Sequence, residues 1–348
     1  MRVAIIGAGM AGASAANQLI SAGVEVVVFD KARGPGGRMS SKRLESSDAE
    51  RPFYALDFGA QYFTARHPLF VQALEGWLEQ GMAQRWEFDP YVWQHGVLLP
   101  SHDSQTRYVG TPAMHQVVKT LLGRTAQHYN CQITELAFSQ SGYSSQHGGE
   151  WTLSSADGAS YPGFDAVIVT CPPEQIRQLL SEHPLTARIP PALLLPCWAV
   201  SIQLQQPLAH PAVGIFVKEG PLSWCARQNA KPARAGMPEQ WLLHLNAASS
   251  LQLLEASPEQ IVALAQQEFS KIMSEQIEPN QALCHRWLYA NFNPDLPAPG
   301  LLTDVKQMLV LAGDWSLGGR VENAFLAGAQ AAAQLLSSAN MPVDLSAV

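Results

Sequence analysis

The N-terminal part of the chain alternates apolar strands with a helix of small residues. Residues 3–6 are a short apolar run, residues 13–22 are typical of a helix, and residues 24–29 form a second apolar run that ends in Asp30. Apolar runs of this length between turn residues indicate buried strands. The order of strand, helix and strand therefore predicts parallel strands joined by a crossover helix.

Three segments further along carry helix signals. The spacing of apolar residues predicts a helix over 68–80, with an apolar face of Leu69, Phe70, Ala73, Leu74, Trp77 and Leu78. We expect Thr111 to cap a helix that has Pro112 at its first position and runs to about residue 123. Ser257 followed by Pro258 predicts another helix start of the same kind.

The strand signals are of two kinds. Short strands between polar, glycine-bearing turns predict an antiparallel meander, over residues 132–139, 150–155 and 160–162. Continuous apolar runs predict strands buried on both faces of a parallel sheet, over residues 165–170 and 308–313. We also expect a helix that starts at the prolines after residue 171, apolar strands over 198–204 and 241–245, and an alanine-rich helix over 324–336.

Charge and cysteine content narrow the function classes. The net charge of −7 and the pI near 5.8 argue against a nucleic-acid partner, which selects for a basic face. Five cysteines are dispersed without a Cys-x-x-Cys pair, which predicts reduced thiols of a cytoplasmic protein and neither a disulfide framework nor a metal site. No run approaches the roughly 18 apolar residues of a membrane span, so no membrane partner is expected.

The turn after the first strand has the spacing of a dinucleotide-binding motif, Gly7-Ala8-Gly9-Met10-Ala11-Gly12. Gly7 permits a tight turn, Gly9 lets the backbone approach a pyrophosphate, and Gly12 lets the helix pack closely on the strand. Asp30 then stands where an acid accepts a hydrogen bond from a ribose hydroxyl. These features together predict that a dinucleotide phosphate lies at the helix N-terminus.

A second glycine loop, residues 31–38, favours a flavin over a nicotinamide cofactor. It carries three cations and the pair Gly36-Gly37, and it ends in Arg38. A loop with so little bulk can fold over a dinucleotide, and the guanidinium of Arg38 can offer a planar fork of donors to a phosphate. In tandem with the first motif, the loop resembles the N-terminal signature of the FAD-dependent amine-oxidase-like superfamily.

The third motif lies near the end of the chain. The predicted strand 308–313 ends in Gly313-Asp314, and Gly318-Gly319 lead into the last helix. Asp314 can accept hydrogen bonds from ribityl hydroxyls. Free N–H groups over residues 321–324 can face a flavin carbonyl and favour the negative charge that a reduced flavin gathers there.

Longer strings make the resemblance more specific. The chain resembles the renalase family, in its bacterial branch, over nearly its whole length, through residues 36–43, 56–66, 285–290, 313–315 and 319–322. The most discriminating strings are Met39-Ser40-Ser41-Lys42-Arg43, Ala60-Gln61-Tyr62-Phe63-Thr64 and His285-Arg286-Trp287-Leu288-Tyr289-Ala290.

The resemblance implies a fold of the α/β (α+β) class. A Rossmann-type FAD-binding domain is interleaved with a smaller antiparallel-sheet substrate domain, as in the p-hydroxybenzoate-hydroxylase-like fold. We expect the FAD-binding domain to comprise residues 1–66, 107–173 and 286–340. The substrate domain is then formed by residues 67–106 and 174–285, and residues 341–348 form a tail.

The resemblance also implies the reaction. It is the oxidation of the 2- and 6-dihydro isomers of NAD(P)H to NAD(P)+ by hydride transfer to flavin N5 of a noncovalent FAD. The small-molecule substrate and O2 are then the partners, because O2 reoxidises the flavin and yields H2O2. We expect the FAD contacts to be Gly7, Gly9, Met10, Ala11, Gly12, Asp30, Lys31, Gly37, Arg38, Met39, Ala60, Gln61, Ile133, Thr170, Pro172, Gly313, Asp314, Arg320, Val321 and Asn323.

The expected substrate site is built largely from aromatic residues. We expect the side chains that position the substrate to be Gln61, Tyr62, His244 and Trp287, with further contacts from Trp224 and Arg227. Tyr62 and Trp287 can flank a nicotinamide ring through their faces, and His244 can bind a carboxamide or a ribose. Arg227, Lys231 and Arg234 lie in one polar segment, which can either bind the phosphates of a dinucleotide or form a solvated loop.

Two other functions stay open on this scaffold. One is an amine or other carbon–nitrogen oxidase, which would have a small aromatic cavity in place of a dinucleotide-sized one. The other is a flavin-binding protein without catalysis. The sequence also departs from the family pattern at residues 45–52, an insertion-like polar stretch near the approach to the flavin, and at Asn323, where related flavoproteins usually have glycine.

Overall fold

The structure, a computed structural model, describes residues 1–45, 53–140 and 149–343. The predicted insertion therefore lies outside the described residues except for Glu45, and so do residues 344–348 of the predicted tail.

The chain contains runs of consecutive strands separated by single helices or helix pairs. The strands are β1 Arg2–Ile6, β2 Glu25–Phe29, β3 Ser41–Glu45, β4 Phe53–Asp57, β5 Ala83–Arg85, β6 Tyr91–Gln94, β7 Val97–Pro100, β8 Tyr108–Gly110, β9 Ala126–His128, β10 Ile133–Ser139, β11 Glu150–Ser155, β12 Ser160–Phe164, β13 Ala166–Val169, β14 Leu194–Leu204, β15 Gly214–Val217, β16 Leu222–Arg227, β17 Gln240–Leu245, β18 Pro279–Phe292, β19 Leu302–Asp304 and β20 Leu309–Leu311. The helices are α1 Met10–Ser21, α2 Pro68–Glu79, α3 Gln116–Leu122, α4 Pro173–Leu179, α5 Ala247–Gln252, α6 Pro258–Met273 and α7 Val321–Ser338.

The first layer is a six-stranded sheet in the order β19-β20-β13-β1-β2-β9. β1 pairs in parallel with β2 on one side and with β13 on the other, so that Ile5 lies between Val28 and Ile168. All four residues of β13 are buried, as the unbroken apolar run predicted. Because the chain leaves β1 toward β2 and returns on the other side at β13, the carboxyl end of β1 is a topological switch point, where ligands bind in such sheets.

Helices α1 and α7 cover one face of this sheet and pack tightly on each other. A Cβ at Gly328 of α7 would collide with the carbonyl oxygen of Ala11 in α1. Ser14 Oγ donates a hydrogen bond to the Phe325 carbonyl oxygen over 2.7 Å. The close crossing therefore depends on small residues in both helices, and it fixes the N-terminus of α1 relative to that of α7.

The second layer is a seven-stranded sheet in the order β18-β14-β17-β16-β15-β6-β7. Successive residues of β16 alternate between two cores. Cys225 packs in the core formed with α6, whereas Trp224 and Ala226 join the core that contains α1 and α7. We call the surface that carries Trp224, His244 and Trp287 the site face of this sheet.

Most predicted elements are confirmed, and the exceptions have a physical cause. The meander is the antiparallel sheet β10-β11-β12, and Ser257 begins α6 through a capping box with Gln260. The helix expected at Thr111 was wrong in its start, since α3 begins at Gln116. The Thr111 hydroxyl donates to the Gly81 carbonyl oxygen over 3.0 Å, so it is not available as a helix cap.

The edge strand β18 crosses the predicted domain boundary between residues 285 and 286. It pairs with β14 from Pro279 as far as Phe292. The segment 285–290, which carried part of the family resemblance, is therefore a continuous part of the seven-stranded sheet.

Candidate active site

The turn between β1 and α1 has the geometry of a phosphate-binding loop. Gly7 has a φ of +113°, which only glycine adopts readily, and a Cβ at Gly12 would collide with the Gly7 carbonyl oxygen. Thr170 closes the turn from β13, since its Oγ1 lies 3.1 Å from the carbonyl oxygens of both Ile6 and Gly7. α1 then begins at Met10, and no described side chain caps it. The N–H groups of its first turn are thus open to an anion.

The second glycine loop lies directly against this turn. The Gly36 N–H donates to the Ala8 carbonyl oxygen over 2.9 Å, and a Cβ at Gly37 would come within 3.2 Å of the Gly9 Cα. Gly37 has a φ of +54°. The two motifs singled out from the sequence are therefore in contact. Because their glycines carry no side chains, a pyrophosphate can approach the backbone closely.

Asp30 closes the first turn from the end of β2. Its Oδ2 accepts from the Ala8 N–H and its Oδ1 from the Ala32 N–H, both over 2.7 Å. Burial raises the pKa of Asp30 from its ordinary value, although these two N–H groups oppose the shift. Each carboxylate oxygen keeps a further lone pair with which it can accept from a hydroxyl.

The other residues expected to contact FAD differ in exposure. Lys31 is exposed, whereas Met10, Ala11 and Met39 are buried. Pro172 caps the N-terminus of α4 just beyond Thr170. Ile133 begins β10 and is buried in the core that the meander shares with the six-stranded sheet.

Arg38 and Asp314, which we expected to contact different parts of FAD, bind each other. Arg38 Nη1 donates to Asp314 Oδ2 over 2.9 Å, and Arg38 Nη2 pairs with Asp314 Oδ1. Arg38 Nη1 also donates to the Ala290 carbonyl oxygen of β18 over 3.0 Å. The bidentate pair therefore ties the second glycine loop to the third motif and to the seven-stranded sheet.

The third motif ends in another uncapped helix N-terminus. Gly313 follows β20, and the backbone reaches α7 through Arg320, which has a φ of +76°. No described side chain caps Val321, the first residue of α7. Asn323 Nδ2 donates to the Leu317 carbonyl oxygen over 2.6 Å, so the amide that replaces the usual glycine stabilises the turn before the helix.

A tight turn after β4 lies against Arg38. A Cβ at Gly59 would collide with the Arg38 carbonyl oxygen, and that same oxygen accepts from the Ala60 N–H over 2.9 Å. We call residues 57–61 the hinge turn, because it joins the loop of Arg38 to the site face.

The hinge turn holds two of the expected substrate residues. The Phe58 carbonyl oxygen lies 3.0 Å from His244 Nε2 and accepts from Trp287 Nε1 over 3.2 Å. Because a carbonyl oxygen only accepts, His244 carries its proton on Nε2 and leaves Nδ1 as an acceptor. Burial lowers the pKa of His244 to about 4, so the imidazole is neutral at neutral pH.

Gln61 is buried and all its hydrogen-bonding positions are used inside the protein. Its Nε2 donates to the carbonyl oxygens of Asp57, over 2.6 Å, and Gly59, over 3.0 Å. Its Oε1 accepts from Gln228 Nε2 over 2.6 Å and from Lys231 Nζ over 3.1 Å. With two donors and two acceptor positions filled, the carboxamide has no capacity left for a substrate.

Tyr62 and Trp224 form an aromatic wall beside the hinge turn. Their ring centroids lie 5.5 Å apart at an interplanar angle of 63°, an edge-to-face contact. Trp224 Nε1 is buried and finds no acceptor among the described residues. An unpaired buried donor at this position fits a ligand that supplies an acceptor atom.

Arg107 packs on the same wall, a role that the sequence did not reveal. Its guanidinium carbon lies 5.1 Å from the centroid of the Tyr62 ring and 5.4 Å from those of Phe88 and Phe216. Arg107 Nη2 donates to Asp103 Oδ1 over 2.9 Å. An open cleft of about 460 Å³ lies alongside, lined by residues 85–89 and 103–107.

The polar segment with three cations neither faces the aromatic wall nor forms a solvated loop. Arg227 lies on the opposite face of the sheet from Trp224. Its guanidinium packs 5.1 Å from the Trp241 ring and donates to the His210 carbonyl oxygen over 2.7 Å. Lys231 and Arg234 are buried. The alternation of side chains along β16 separates Arg227 from Trp224, because the two residues lie an odd number of positions apart.

Lys231 and Arg234 both bind Asp57 of the hinge turn. Asp57 Oδ2 lies 3.0 Å from Lys231 Nζ and 2.9 Å from Arg234 Nη2. Burial alone would raise the pKa of Asp57, but the two cations hold it well below its usual range. Burial lowers the pKa of Lys231 to about 8, although Asp57 opposes the shift. The sequence does contain one signal of this ion cluster, because Asp57 stands at the end of an apolar run. A buried acid in such a position must find a partner.

Comparisons with known proteins agree with these features. Residues 5–75 match the family described as an NAD(P)-binding Rossmann-like domain, and residues 82–336 match the family described as flavin containing amine oxidoreductase. Renalase of Mus musculus is 24% identical over 349 residues, which cover 90% of this chain and 92% of that protein.

Two solved structures show the same fold. Cyclohexylamine oxidase from Brevibacterium oxydans is 14% identical, with a TM-score of 0.71, and the match covers 97% of this chain and 99% of that one. A redesigned double mutant of putrescine oxidase is 12% identical, with a TM-score of 0.66 and the same coverage. Among the described residues no helix is long and apolar enough to cross a membrane, and no group of three or more His, Cys, Asp or Glu could hold a metal ion.

Proposed function

Because this chain belongs to the flavin-containing amine oxidoreductase family and its cofactor is FAD, we propose that it oxidises the 2- and 6-dihydro isomers of NAD(P)H to NAD(P)+ and reduces O2 to H2O2. The full-length similarity to a renalase supports this choice of substrate. When bound, FAD supplies the hydride acceptor and passes the electrons on to O2.

The residues present fit a noncovalent FAD. The uncapped first turns of α1 and α7 offer N–H groups to the pyrophosphate and to a flavin carbonyl. Asp30 has lone pairs for a ribose hydroxyl, and the contact between Gly9 and Gly37 keeps side chains away from the phosphates. Arg38 acts on the cofactor chiefly by holding Asp314 and the second glycine loop in place.

The observation that carries the proposal is that the site face offers an unpaired donor, Trp224 Nε1, together with an open acceptor, Nδ1 of a neutral His244. Loss of a hydride turns a dihydropyridine into a pyridinium without removal of a proton, so the reaction needs orientation and no general base. His244 has a pKa of about 4 and is a poor base at neutral pH, but its Nδ1 can accept from a carboxamide N–H. The unpaired Trp224 N–H can donate to the carboxamide oxygen, and the rings of Tyr62 and Trp287 can flank the nicotinamide.

We infer a domain assignment that follows the sheets. Residues 1–66 and 107–173, with the chain after Phe292, form the FAD-binding domain. Residues 67–106 and the chain from residue 174 through Phe292 form the substrate domain. Moving the boundary to the end of β18 keeps Trp287 on the same sheet as Trp224 and His244. The five cysteines are unpaired, which supports work in a reducing, cytoplasmic compartment.

The proposal is tested by product analysis of the purified yellow enzyme in air. We expect 6-dihydro-NAD to be converted to NAD+ with one H2O2 per molecule, while ordinary NADH is oxidised far more slowly. With a matched panel of primary and secondary amines, peroxide should form no faster than it does with the enzyme alone in air. Peroxide from an amine but not from either dihydro isomer would contradict the proposal.

An amine oxidase is the second candidate, because the rings of Tyr62, Phe88 and Phe216 form a surface that binds a cation. In the structure, however, the guanidinium of Arg107 already occupies that surface. An ammonium substrate would have to displace a buried arginine that is paired with Asp103. If neither class of donor gives peroxide, the third possibility, a flavin-binding protein without catalysis, is the one that remains.

A further inference from the structure

The buried ion cluster under the hinge turn carries an excess positive charge. The side chains of Asp57 and Lys231 are both 0% exposed, and that of Arg234 is 2% exposed. Arg234 alone neutralises Asp57, and it also donates to the Ala55 carbonyl oxygen of β4. A buried charge without its own counter-ion is costly to the fold, so the second cation is not explained by stability.

Lys231 has one contact that Arg234 lacks. After β16, a short 3-10 turn at Gln228–Ala230 brings Lys231 under the hinge turn, where Nζ reaches both Asp57 Oδ2 and Gln61 Oε1. The Lys231 ammonium therefore bridges a carboxylate and a carboxamide of the same turn. Removal of the Lys231 side chain would leave Gln61 Oε1 with Gln228 as its remaining donor. Loss of the proton alone would weaken the bond, because a neutral amine is a poorer donor than an ammonium.

Gln61 transmits this restraint to the site face. Its Nε2 binds the carbonyl oxygens of Asp57 and Gly59, which lie on either side of Phe58. The Gln61 carboxamide thus fixes the two peptide groups that flank the Phe58 carbonyl. The Phe58 oxygen in turn accepts from Trp287 Nε1 and lies within hydrogen-bonding distance of His244 Nε2.

We propose that Lys231 is a positioning residue for the proposed reaction. Its charged ammonium orients Gln61, which fixes the Phe58 carbonyl and so sets the rings of Trp287 and His244 toward the substrate. The proposal rests on the proposed function only for the identity of the substrate. Lys231 itself touches neither substrate nor cofactor in this role.

Because Lys231 can lose its proton, its positioning role predicts that the environment of Trp287 changes with pH. The charged groups that face it are Asp57 and Arg234, and the neutral imidazole of His244 adds no charge. His115 lies within the field of Asp57 and Arg234, and burial lowers its pKa, so it is also uncharged at alkaline pH. Burial lowers the pKa of Lys231 to about 8, so the ammonium is lost as the pH rises through 8.

This pH dependence is distinct from unfolding. A lysine whose pKa is lower in the folded than in the unfolded state binds fewer protons when folded. Between the folded pKa of about 8 and the ordinary value of 10.5, Lys231 therefore adds stability as the pH rises. Any loosening of Trp287 in this range comes from lost positioning and not from a less stable fold.

The test uses the holoenzyme labelled with [15N]tryptophan. The indole N–H resonance of Trp287 is assigned with Trp287→Phe and followed from pH 6.5 to 9.5, in steps on the order of half a unit across the Lys231 transition. We expect it to titrate near pH 8 in the natural enzyme. In Lys231→Met, which keeps the Asp57–Arg234 pair, the resonance should be displaced and should not titrate. The control Lys271→Met removes an exposed lysine of α6 and should match the natural enzyme.

A kinetic readout accompanies the spectra. We expect Lys231→Met to lower the limiting rate of flavin reduction by 6-dihydro-NAD about tenfold, while the dissociation constant of the substrate changes less than about twofold, because hydride transfer depends on orientation. A Trp287 resonance that does not titrate in the natural enzyme, or that Lys231→Met leaves unmoved, would overturn the proposal. If Lys231→Met does not fold, Lys231→Arg takes its place: the guanidinium stays charged throughout this pH range, so the Trp287 resonance should not titrate near pH 8. If no dihydro isomer reduces the enzyme, the proposed function fails, but the resonance still tests the positioning role.

Discussion

At the scale of single residues, the candidate site is held by side chains that bind one another rather than by side chains aimed at a cavity. Arg38 and Asp314 illustrate this, because each neutralises the other at the junction of two glycine motifs. Asp314 is buried, so it depends on the guanidinium for its only nearby cation among the described residues. Removing one partner of such a pair leaves an unpaired buried charge.

Arg38→Ala should therefore lose FAD during purification and unfold more easily. We expect a loss of stability on the order of 2 kcal/mol, below the range for fully buried pairs because Arg38 is half-buried. The measurements are the ratio of flavin to protein absorbance and a thermal melt. Arg33→Ala, an exposed cation of the same loop, is the control and should stay yellow. An Arg38→Ala enzyme with a full complement of FAD would contradict the role given to the pair.

Sequence reasoning identified residues whose role is local and missed those whose role depends on distant partners. The turn at Gly7 follows from spacing, because strand, turn and helix are contiguous. The bond between Lys231 and Asp57 joins positions 174 residues apart, so no local pattern predicts it. Gln61 was singled out as a substrate contact, yet only the three-dimensional contacts reveal that its carboxamide is fully used.

The protonation of His244 leads to a pH prediction. Because its pKa is lowered by burial to about 4, well under the ordinary 6.5, we expect the limiting rate of flavin reduction to stay flat between about pH 5.5 and 7.5. The measurement is the rate at saturating substrate in anaerobic rapid mixing across that range. His244→Asn, which keeps a donor for the Phe58 carbonyl, provides the comparison. A transition near pH 6.5 that disappears in His244→Asn would show that the imidazole is charged in the working site.

At the scale of secondary-structure elements, helix starts were predictable where the capping side chain has no better partner. Ser257 caps α6 as expected, because its hydroxyl faces its own helix. Thr111 does not cap α3, because its hydroxyl binds the Gly81 carbonyl oxygen, which belongs to the segment after α2. The helix N-terminus and the distant Gly81 carbonyl oxygen compete for the Thr111 hydroxyl. The local sequence pattern reveals only the first of these partners.

The hinge turn makes an element-scale prediction. Gly59→Ala should place a Cβ against the Arg38 carbonyl oxygen and force the turn away from the second glycine loop. We expect a loss of about 1–3 kcal/mol in the free energy of unfolding, together with weaker retention of FAD. Urea unfolding of the holoenzyme measures the first and the flavin-to-protein ratio the second. Gly34→Ala, at a position where a Cβ meets nothing within 4 Å, should change neither. Equal stability of the two variants would contradict the close contact between the hinge turn and the second glycine loop.

At the scale of the whole molecule, the two sheets are tied together by chain segments that cross between them. The parallel pairing of β1 with β2 and the presence of β13 in the same sheet were predictable, because an apolar strand followed by a helix has few other solutions. The order of the seven-stranded sheet was not, since β6 and β15 pair although they lie far apart in the chain. The same crossing explains why β18 extends beyond the expected domain boundary.

The proposed role of this assembly is to orient a dihydropyridine for hydride transfer, and one measurement tests that role directly. The oxidised holoenzyme is mixed under anaerobic conditions with 6-dihydro-NAD, and the visible absorbance band of the flavin is followed through a single turnover. We predict rapid bleaching that saturates with substrate, and recovery of the band with release of H2O2 when air is admitted. Bleaching by an amine, with none by either dihydro isomer, would contradict the account.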